Sequence, residues 1–342
     1  MNKHRRLLAR RSCSLVAAAV GAIVISAAAH GGGPDGHGHK HGHEQGQGHG
    51  PGGPADRSQW TTAVTIPELN SPVADGCPIE SEDGLSLFIA STRPGGLGGN
   101  DVWAADRDSI DSPWGTPRNL GEPVNTASAD FCPTPVMGRY LFFVSERPGD
   151  GTGPAPCGGG DIYLTRQSPA GGWSTPEMLP CAPQGPNTAG GERSPSLIQT
   201  WYGTFLFYST NGGGANQDIY VSELGPKGTF GPGKKIAELS TAAYDDLMPN
   251  VRVREDGSLE IVYSSNRPTW GRNQPAFGAQ DVYIAYSWWP TKGWTAPENL
   301  GPAVNTAGVE QRSTLSHDGK RLYFGRDGDI FTSNRIGRPG HR

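Results

Sequence analysis

The sequence lacks the features of a helical or membrane-spanning protein. After its first 29 residues, no stretch of ten or more residues repeats apolar side chains at the period of an α-helix. Its longest apolar run, residues 15–29, has about 15 residues, whereas a transmembrane helix needs about 20. Cysteine (5) and methionine (4) are scarce, and charged residues make up only 18% of the chain. Glycine (51) and proline (30) are abundant instead, which favours an all-β fold with many tight turns.

The N-terminal segment has the pattern of a secretory signal peptide. Residues 1–29 have a basic start, an apolar stretch and an alanine-rich end that suits cleavage near Ala29. Arg10 and Arg11 also permit twin-arginine export. Of the 29 lysines and arginines, five lie in this segment and none of the 33 acids does, so the processed chain would carry a net charge of −9. We therefore predict a periplasmic or secreted protein without a membrane span, and its charge argues against a nucleic-acid partner.

Residues 30–57 are rich in glycine and histidine, cannot build a hydrophobic core and are predicted to form a disordered tether. The segment contains His37, His39, His41 and His43. Imidazoles on a flexible chain can bind nickel, copper or zinc, although affinity then depends on metal availability more than on a rigid pocket. The alternative is a hydrophilic spacer that holds no metal.

Residues 58–337 contain five copies of one unit, spaced at 54 to 64 residues, and residues 338–342 form a short tail. Each copy begins with an acid and continues with two short strands, a Gly-rich loop, an Asp-apolar-aromatic strand and a Trp-x-x-Pro segment. Four strands per copy predict the blades of a β-propeller, because one blade cannot bury its own faces and must stack on its neighbours. The five opening acids are Asp75, Asp130, Glu192, Asp246 and Glu310.

The two ends of the repeat indicate how the ring closes. The last copy has no Trp-x-x-Pro segment, whereas residues 60–70, ahead of the first copy, have the character of a fourth strand. Asn70 stands five residues before Asp75, as Asn125 stands five before Asp130. We therefore predict an all-β, five-bladed β-propeller in which the N-terminal strand completes the last blade and leaves no exposed sheet edge.

Four cysteines follow the signal segment, an even number that suits disulfides in an oxidising compartment. Cys77 and Cys132 occupy equivalent positions in neighbouring blades, and Cys157 and Cys181 lie within blade two. We predict the pairs Cys77–Cys132 and Cys157–Cys181. A zinc site is the rival interpretation, but no Cys-x-x-Cys spacing supports it.

Several features recur in every copy and are predicted to be structural. The aspartates that open the third strands can accept N–H bonds from the preceding loop, and could also pair with Arg93, Arg147 or Arg267. A tryptophan series, with Phe230 as its member in blade three, is predicted to pack between blades. The aspartates are Asp101, Asp161, Asp218, Asp281 and Asp329, and the tryptophans are Trp60, Trp114, Trp173 and Trp294.

The opening acids should surround one mouth of the central channel, because the first strand of each blade lines that channel. Carboxylates this close repel one another unless they are protonated, bridged by a cation, or paired with arginines such as Arg193 and Arg312. Calcium prefers oxygen ligands and could be held by Asp75, Asp130 and Asp246. Alternatively, each acid caps its own turn and points sideways.

Two loops depart from the repeat and are predicted to overhang the acid-bearing face: residues 149–160 and 269–280. The second loop carries two aromatic residues and one arginine that have no evident role in a blade. Aromatic surfaces beside carboxylates suit either a sugar or a protein. The predicted ligand-binding residues are Trp270, Arg272, Phe277, Arg93 and Arg147.

The motifs Ser91-Thr92-Arg93-Pro94-Gly95-Gly96 with Asp101-Val102-Trp103, and Leu315-Ser316-His317-Asp318-Gly319 with Leu322-Tyr323-Phe324, resemble the WD40-like β-propeller repeat of the TolB type. The resemblance covers roughly residues 58–337. It implies an exported bacterial propeller that serves as a binding or assembly platform at the cell envelope. TolB itself has six blades, so its own partner role does not transfer to this chain.

Two functions remain open at this stage. The first is an exported binding module that recognises an envelope protein or a glycan at the channel-mouth face and requires no cofactor. The alternative is a secreted, glycosidase-like enzyme. Two or three of the acids Asp75, Asp130, Glu192, Asp246 and Glu310 would then serve as nucleophile or base and as general acid.

Overall fold

A computed structural model describes residues 59–149, 154–169, 171–270 and 274–337. These residues form an all-β, five-bladed propeller, as predicted, and they contain no helix and hence none able to span a membrane. The predicted signal peptide, the His-rich tether with His37, His39, His41 and His43, the C-terminal tail and Arg272 lie outside the described residues.

Each blade is an antiparallel sheet in which the second strand lies between the first and the third. Blade one contains β3 (Asp75–Glu80), β4 (Ser86–Ser91), β5 (Asp101–Asp106) and β6 (Arg118–Asn119). Blade two contains β7 (Asp130–Val136), β8 (Tyr140–Ser145), β9 (Asp161–Arg166) and β10 (Glu177–Met178). Blade three contains β11 (Glu192–Thr200), β12 (Gly203–Thr210), β13 (Asp218–Glu223) and β14 (Lys234–Lys235).

Blades four and five carry the additions to this plan. Blade four contains β15 (Asp246–Val253), β16 (Leu259–Ser265), β19 (Asp281–Ser287) and β20 (Glu298–Asn299), and the long loop between β16 and β19 forms a small hairpin of β17 (Thr269–Trp270) and β18 (Gln274–Pro275). Blade five contains β21 (Glu310–Leu315), β22 (Arg321–Arg326) and β23 (Asp329–Ile336), completed by β1 (Gln59–Trp60) and β2 (Val64–Thr65).

The hydrophobic core lies between the blades. Its five clusters each combine side chains from two neighbouring blades, so every blade depends on its neighbours for burial. Trp114 packs between blades five and one, and Trp294 between blades three and four. Phe230, 1% exposed, occupies the predicted place in the cluster between blades two and three.

The N-terminal strands close the ring as predicted. Trp60 pairs with Arg335 of β23, and Val64 pairs with Thr332 of the same strand. Asn70 adds two hydrogen bonds to this closure. Its side-chain oxygen accepts the N–H of Ile330 at 2.7 Å, and its side-chain amide donates to the Ile330 carbonyl at 3.2 Å. The first and last parts of the propeller are therefore held together by main-chain pairing and by side-chain hydrogen bonds, which include those between Thr61 and Ser333.

The two predicted cysteine pairs have different outcomes. Cys157 and Cys181 form a disulfide, with their Cα atoms 5.6 Å apart. Cys77 and Cys132 are brought together across two neighbouring blades, but they are free thiols whose sulfur atoms lie 2.8 Å apart. The structure therefore corrects the prediction of a bond at this position while confirming that the two residues meet.

Candidate functional site at the channel mouth

A β-bulge in the first strand of every blade sets one side chain towards the central channel. The pairing register shifts after the second residue of β3, β7, β11, β15 and β21. Every bulge residue is a non-glycine residue in the left-handed region, with φ between 48° and 57°. The bulge residues are Cys77, Cys132, Ser194, Met248 and Arg312.

The bulge residues frame a cavity of about 440 Å³ at this mouth of the channel. Cys77, Cys132, Met248 and Arg312 line it, and the rim carries polar groups from the neighbouring turns. Such a volume falls within the range of small-molecule sites, which combine apolar walls with a few convergent polar groups. The polar rim residues include Asn100, Arg193, Gln311 and Asp327.

Ser194 and Met248 had no predicted role, and the common position of the five bulge residues was not predicted, although the sequence carries a signal for it. In four of the five copies, the opening acid is followed three positions later by a proline, and the bulge residue stands directly before it. The prolines are Pro78, Pro133, Pro195 and Pro249, whereas Ser313 stands at this position in blade five.

The three aspartates among the opening acids use both carboxylate oxygens within their own blades. Asp130 accepts from Arg147 Nη2 at 2.7 Å through Oδ1, and from the Thr126 N–H and hydroxyl at 2.7 and 2.8 Å through Oδ2. This geometry matches the alternative in which each acid caps its own turn. The same contacts recur at Asp75 with Arg93 and Ser71, and at Asp246 with Arg267 and Thr241.

These contacts correct two predicted pairings. Arg93, Arg147 and Arg267 contact the opening acids of their blades, Asp75, Asp130 and Asp246, rather than the aspartates that open the third strands. Arg193 donates to the Glu192 carbonyl, and Arg312 donates to the Pro133 carbonyl; among the described residues neither guanidinium group forms an ion pair with an opening carboxylate.

The metal predictions depend on oxygens that the blades already use. A calcium ion held by Asp75, Asp130 and Asp246 would have to displace arginine and backbone contacts from all three carboxylates. Within the described ranges, no group of three or more His, Cys, Asp or Glu side chains is arranged to hold a metal ion. Calcium in the channel therefore stays a prediction.

Glu192 and Glu310 differ from the aspartates because each leaves one buried oxygen, Oε2, without a hydrogen-bond partner among the described residues. Glu192 Oε1 accepts from the Thr188 hydroxyl at 2.6 Å and from the Thr210 hydroxyl at 2.7 Å. Gly212 stands where the corresponding loops of blades one, two and four carry Arg93, Arg147 and Arg267. Burial raises the pKa of Glu192 to about 7, although the hydrogen bonds from Thr188 and Thr210 oppose the shift.

In Glu310, burial also raises the pKa, and hydrogen bonds from Thr306 together with Arg326 oppose the shift. Arg326 pairs directly opposite Glu310 in the sheet, at the register position held by serine or threonine in the other blades. Burial therefore favours the protonated form of both glutamates.

We expect replacement of Glu192 by glutamine to stabilise the protein above pH 7. The folded carboxyl keeps its proton up to about pH 7, while the unfolded one loses it near 4.5, so its contribution to stability falls as the pH rises between these values. Glutamine does not ionise, and the gain should reach up to about 3 kcal/mol above pH 7. Chemical denaturation from pH 4 to 8 measures this difference.

The matched control is Asp130→Asn, which removes the charge that pairs with Arg147 and should destabilise the protein at pH 7. If Glu192→Gln were equally destabilising at pH 7, Glu192 would be an ionised, stabilising carboxylate, contrary to the burial argument.

The predicted ligand-binding residues lie in different surroundings. Arg93 and Arg147 are held against Asp75 and Asp130, and Arg147 lies over the Tyr163 ring at 4.9 Å, so a direct ligand contact for either stays a prediction. The backbone of Trp270 forms part of β17. Phe277 is 37% exposed in the loop before β19. That loop reaches the cavity rim, because Gln311 Nε2 donates to Gln280 Oε1 at 2.6 Å.

The sulfur atoms of Cys77 and Cys132 lie beside the buried arginine of blade five. Arg312 is 1% exposed, and its Nη2 donates to the Pro133 carbonyl and the Thr134 hydroxyl, both at 3.0 Å. Burial raises the pKa of the Cys132 thiol, but the hydrogen bond with Cys77 and the positive charge of Arg312 outweigh it and lower the pKa to about 6. Ser194 donates a further hydrogen bond to the Cys132 sulfur at 3.4 Å.

Comparison with known proteins identifies the fold. No model of a protein family matches the sequence, and no curated protein matches it. Solved structures with a similar fold include the α-L-arabinofuranosidase of Podospora anserina in complex with cellotriose, at 12% identity and a TM-score of 0.50, over 82% of this chain and 96% of that one.

Two further structures resemble the chain to the same degree. The endo-arabinanase of Bacillus licheniformis is 12% identical, with a TM-score of 0.50, over 78% of this chain and 95% of that one. A GH43_12 protein from the capybara gut metagenome is 15% identical, with a TM-score of 0.51, over 80% of this chain and 52% of that one. At such identities the similarity concerns architecture alone, and this chain shares the propeller fold found in glycoside hydrolases.

Proposed function

We propose that the protein is an exported carbohydrate-active propeller that takes a glycan at the channel mouth. The observation that carries this proposal is the axial cavity of about 440 Å³, with its polar rim and the exposed Phe277 in an adjoining loop. Sugars are bound by planar polar groups together with aromatic rings, and both are present at this mouth. The resemblance to WD40-like, TolB-type repeats supports a periplasmic or secreted location.

Glycoside hydrolysis is the form of this function that the comparisons favour, because the similar structures include arabinan-degrading enzymes. A glycosidase needs one carboxyl that stays protonated near neutral pH and serves as the general acid. Glu192, with its pKa raised to about 7, is the best candidate among the opening acids, and Glu310 is the second. Both are buried, so a substrate would have to open the turns that cover them.

Glycan binding without turnover is the second candidate. It is favoured by the engagement of Asp75, Asp130 and Asp246, which leaves these three opening acids without a free oxygen to activate water. An envelope protein remains an alternative partner for the same face. Calcium in the channel, and nickel, copper or zinc on the tether, are further proposals that neither form requires.

Incubation with linear arabino- and cello-oligosaccharides distinguishes these forms. If the protein hydrolyses glycans, it should release reducing sugar. The rate of release should fall at least 100-fold in Glu192→Gln, while this variant still binds the oligosaccharide. Binding alone predicts no products but a measurable affinity, by calorimetry, that Phe277→Ala lowers about tenfold.

The matched control is Glu82→Gln, since Glu82 lines the opposite end of the channel and should affect neither measurement. Absence of both binding and turnover across the panel would contradict the proposed function.

A further inference from the structure

The cysteine pair at the channel mouth has an unequal arrangement. The sulfur atoms of Cys77 and Cys132 are 2.8 Å apart, close enough to form a bond after a small movement. Cys77 is partly exposed, whereas Cys132 is fully buried, and both line the axial cavity. A small molecule that enters the mouth therefore meets Cys77 first.

Arg312 supplies an independent observation beside this pair. Its guanidinium is buried and lines the same cavity, yet Nε and Nη1 have no hydrogen-bond partner among the described residues. No ion pair to a carboxylate is found for Arg312 in the described ranges. A buried cation without a neutralising anion is costly, so a negative charge close to Arg312 should be stabilised.

We propose that Cys77 and Cys132 are a redox-active pair that exchanges disulfides with low-molecular-weight thiols entering the channel mouth, with Arg312 as the positioning residue that favours the reduced pair. In the reduced form, one of the two thiols is deprotonated, and the resulting thiolate is the anion that neutralises Arg312. The lowered pKa of Cys132 agrees with this assignment, because burial alone would raise it. This proposal does not depend on the glycan function.

The exchange balances with a thiol as the reductant. A substrate thiolate attacks the Cys77 sulfur of the Cys77–Cys132 disulfide, and Cys132 leaves as a thiolate beside Arg312. A second substrate thiolate attacks the substrate sulfur of the mixed disulfide, and the Cys77 sulfur leaves and takes up a proton. Two substrate thiols are thereby oxidised to one disulfide, the protein disulfide is reduced, and one of the two substrate protons passes to solvent.

Arg312 should make this disulfide easy to reduce. In the disulfide form the sulfurs carry no charge, and Arg312 remains buried without an anion. In the reduced form the Cys132 thiolate neutralises it. A group that stabilises only the reduced form shifts the equilibrium towards the dithiol and makes the disulfide a better oxidant. Cys157–Cys181 provides an internal reference in the same chain.

The test is a redox titration of the purified protein in buffers of reduced and oxidised glutathione, followed by acid quenching, alkylation and peptide mass mapping. We expect Cys77–Cys132 to become reduced at a glutathione ratio at which Cys157–Cys181 stays oxidised. Arg312→Met should raise the equilibrium constant for forming Cys77–Cys132 at least tenfold, equivalent to about 30 mV. Arg312→Lys retains the charge and should leave the constant near that of the unmodified protein.

Arg118→Met is the matched control, because Arg118 is exposed and pairs with Asp106 in blade one. If Arg312→Met fails to fold, Ser194→Ala removes the hydrogen bond to Cys132 and should raise the constant about threefold. The proposal is overturned if the two disulfides titrate together, if Cys77 and Cys132 do not pair even in excess oxidised glutathione, or if neither variant changes the constant.

Discussion

Replacement of Arg147 by methionine should lower the free energy of unfolding by about 3–5 kcal/mol, measured by chemical denaturation at pH 7. Arg147 donates to Asp130 at 2.7 Å, to the Val124 carbonyl at 2.6 Å and to the Ser145 hydroxyl at 2.7 Å. Methionine preserves much of the apolar stem but leaves the Asp130 carboxylate, which is fully buried, without its cation.

Arg118→Met provides the matched control for this loss. Arg118 and Asp106 also form an ion pair, at 3.1 Å, but their side chains are 62% and 52% exposed. Solvent screens such a pair, and its removal should cost less than about 1 kcal/mol. Adding Asp130→Asn to Arg147→Met should recover part of the stability, since no buried charge then remains.

Equal effects of Arg147→Met and Arg118→Met would show that the buried pair does not hold blade two together. A variant that kept its stability but lost glycan binding would instead support the prediction of Arg147 as a ligand contact.

Replacement of Asn70 by alanine should lower the free energy of unfolding by about 2–4 kcal/mol and loosen the closure of the ring. The Ile330 N–H and carbonyl both lose their partner, and leaving a buried backbone group unpaired costs about 1–3 kcal/mol. Hydrogen exchange should become faster in β1 and β2, because the segment they belong to then loses the Asn70 bonds and keeps only its main-chain pairing and the Thr61 contacts to β23.

Asn125→Ala is the control, because Asn125 makes the same two bonds to Val102 within a continuous part of the chain. It should cost similar stability without accelerating exchange in β1 or β2. Faster exchange of these strands in both variants would mean that Asn70 has no particular role in closure.

The fold could be predicted from the sequence because repetition makes each element visible several times. The missing fourth strand of the last copy and the surplus strand at residues 60–70 could be matched, and Asn70 supported the match by its spacing from Asp75. The meeting of Cys77 and Cys132 followed from their equivalent positions in neighbouring blades.

The candidate site could be predicted only in outline, because contacts depend on side-chain direction. Arg93 stands between two acids in sequence, and nothing in its spacing shows that it turns to Asp75 and not to Asp101. Blade three has no arginine in the loop after β12, but the consequence of this for the pKa of Glu192 required the burial of that carboxyl to be known. The repeat alone does not show whether the opening acids are buried, because the same spacing would also suit a ring of exposed carboxylates.

The five left-handed bulge residues lie at the axis and are distinct from the side chains that pack between the blades. A non-glycine residue in this conformation costs roughly 1–2 kcal/mol, and glycine would relieve that strain at all five positions. None of the five is glycine, so the chain gives up stability to keep two thiols, a hydroxyl, a thioether and a guanidinium around one opening. None of these five side chains belongs to the inter-blade clusters of the described residues. The groups around the opening can therefore change without altering the apolar side chains that pack one blade on the next.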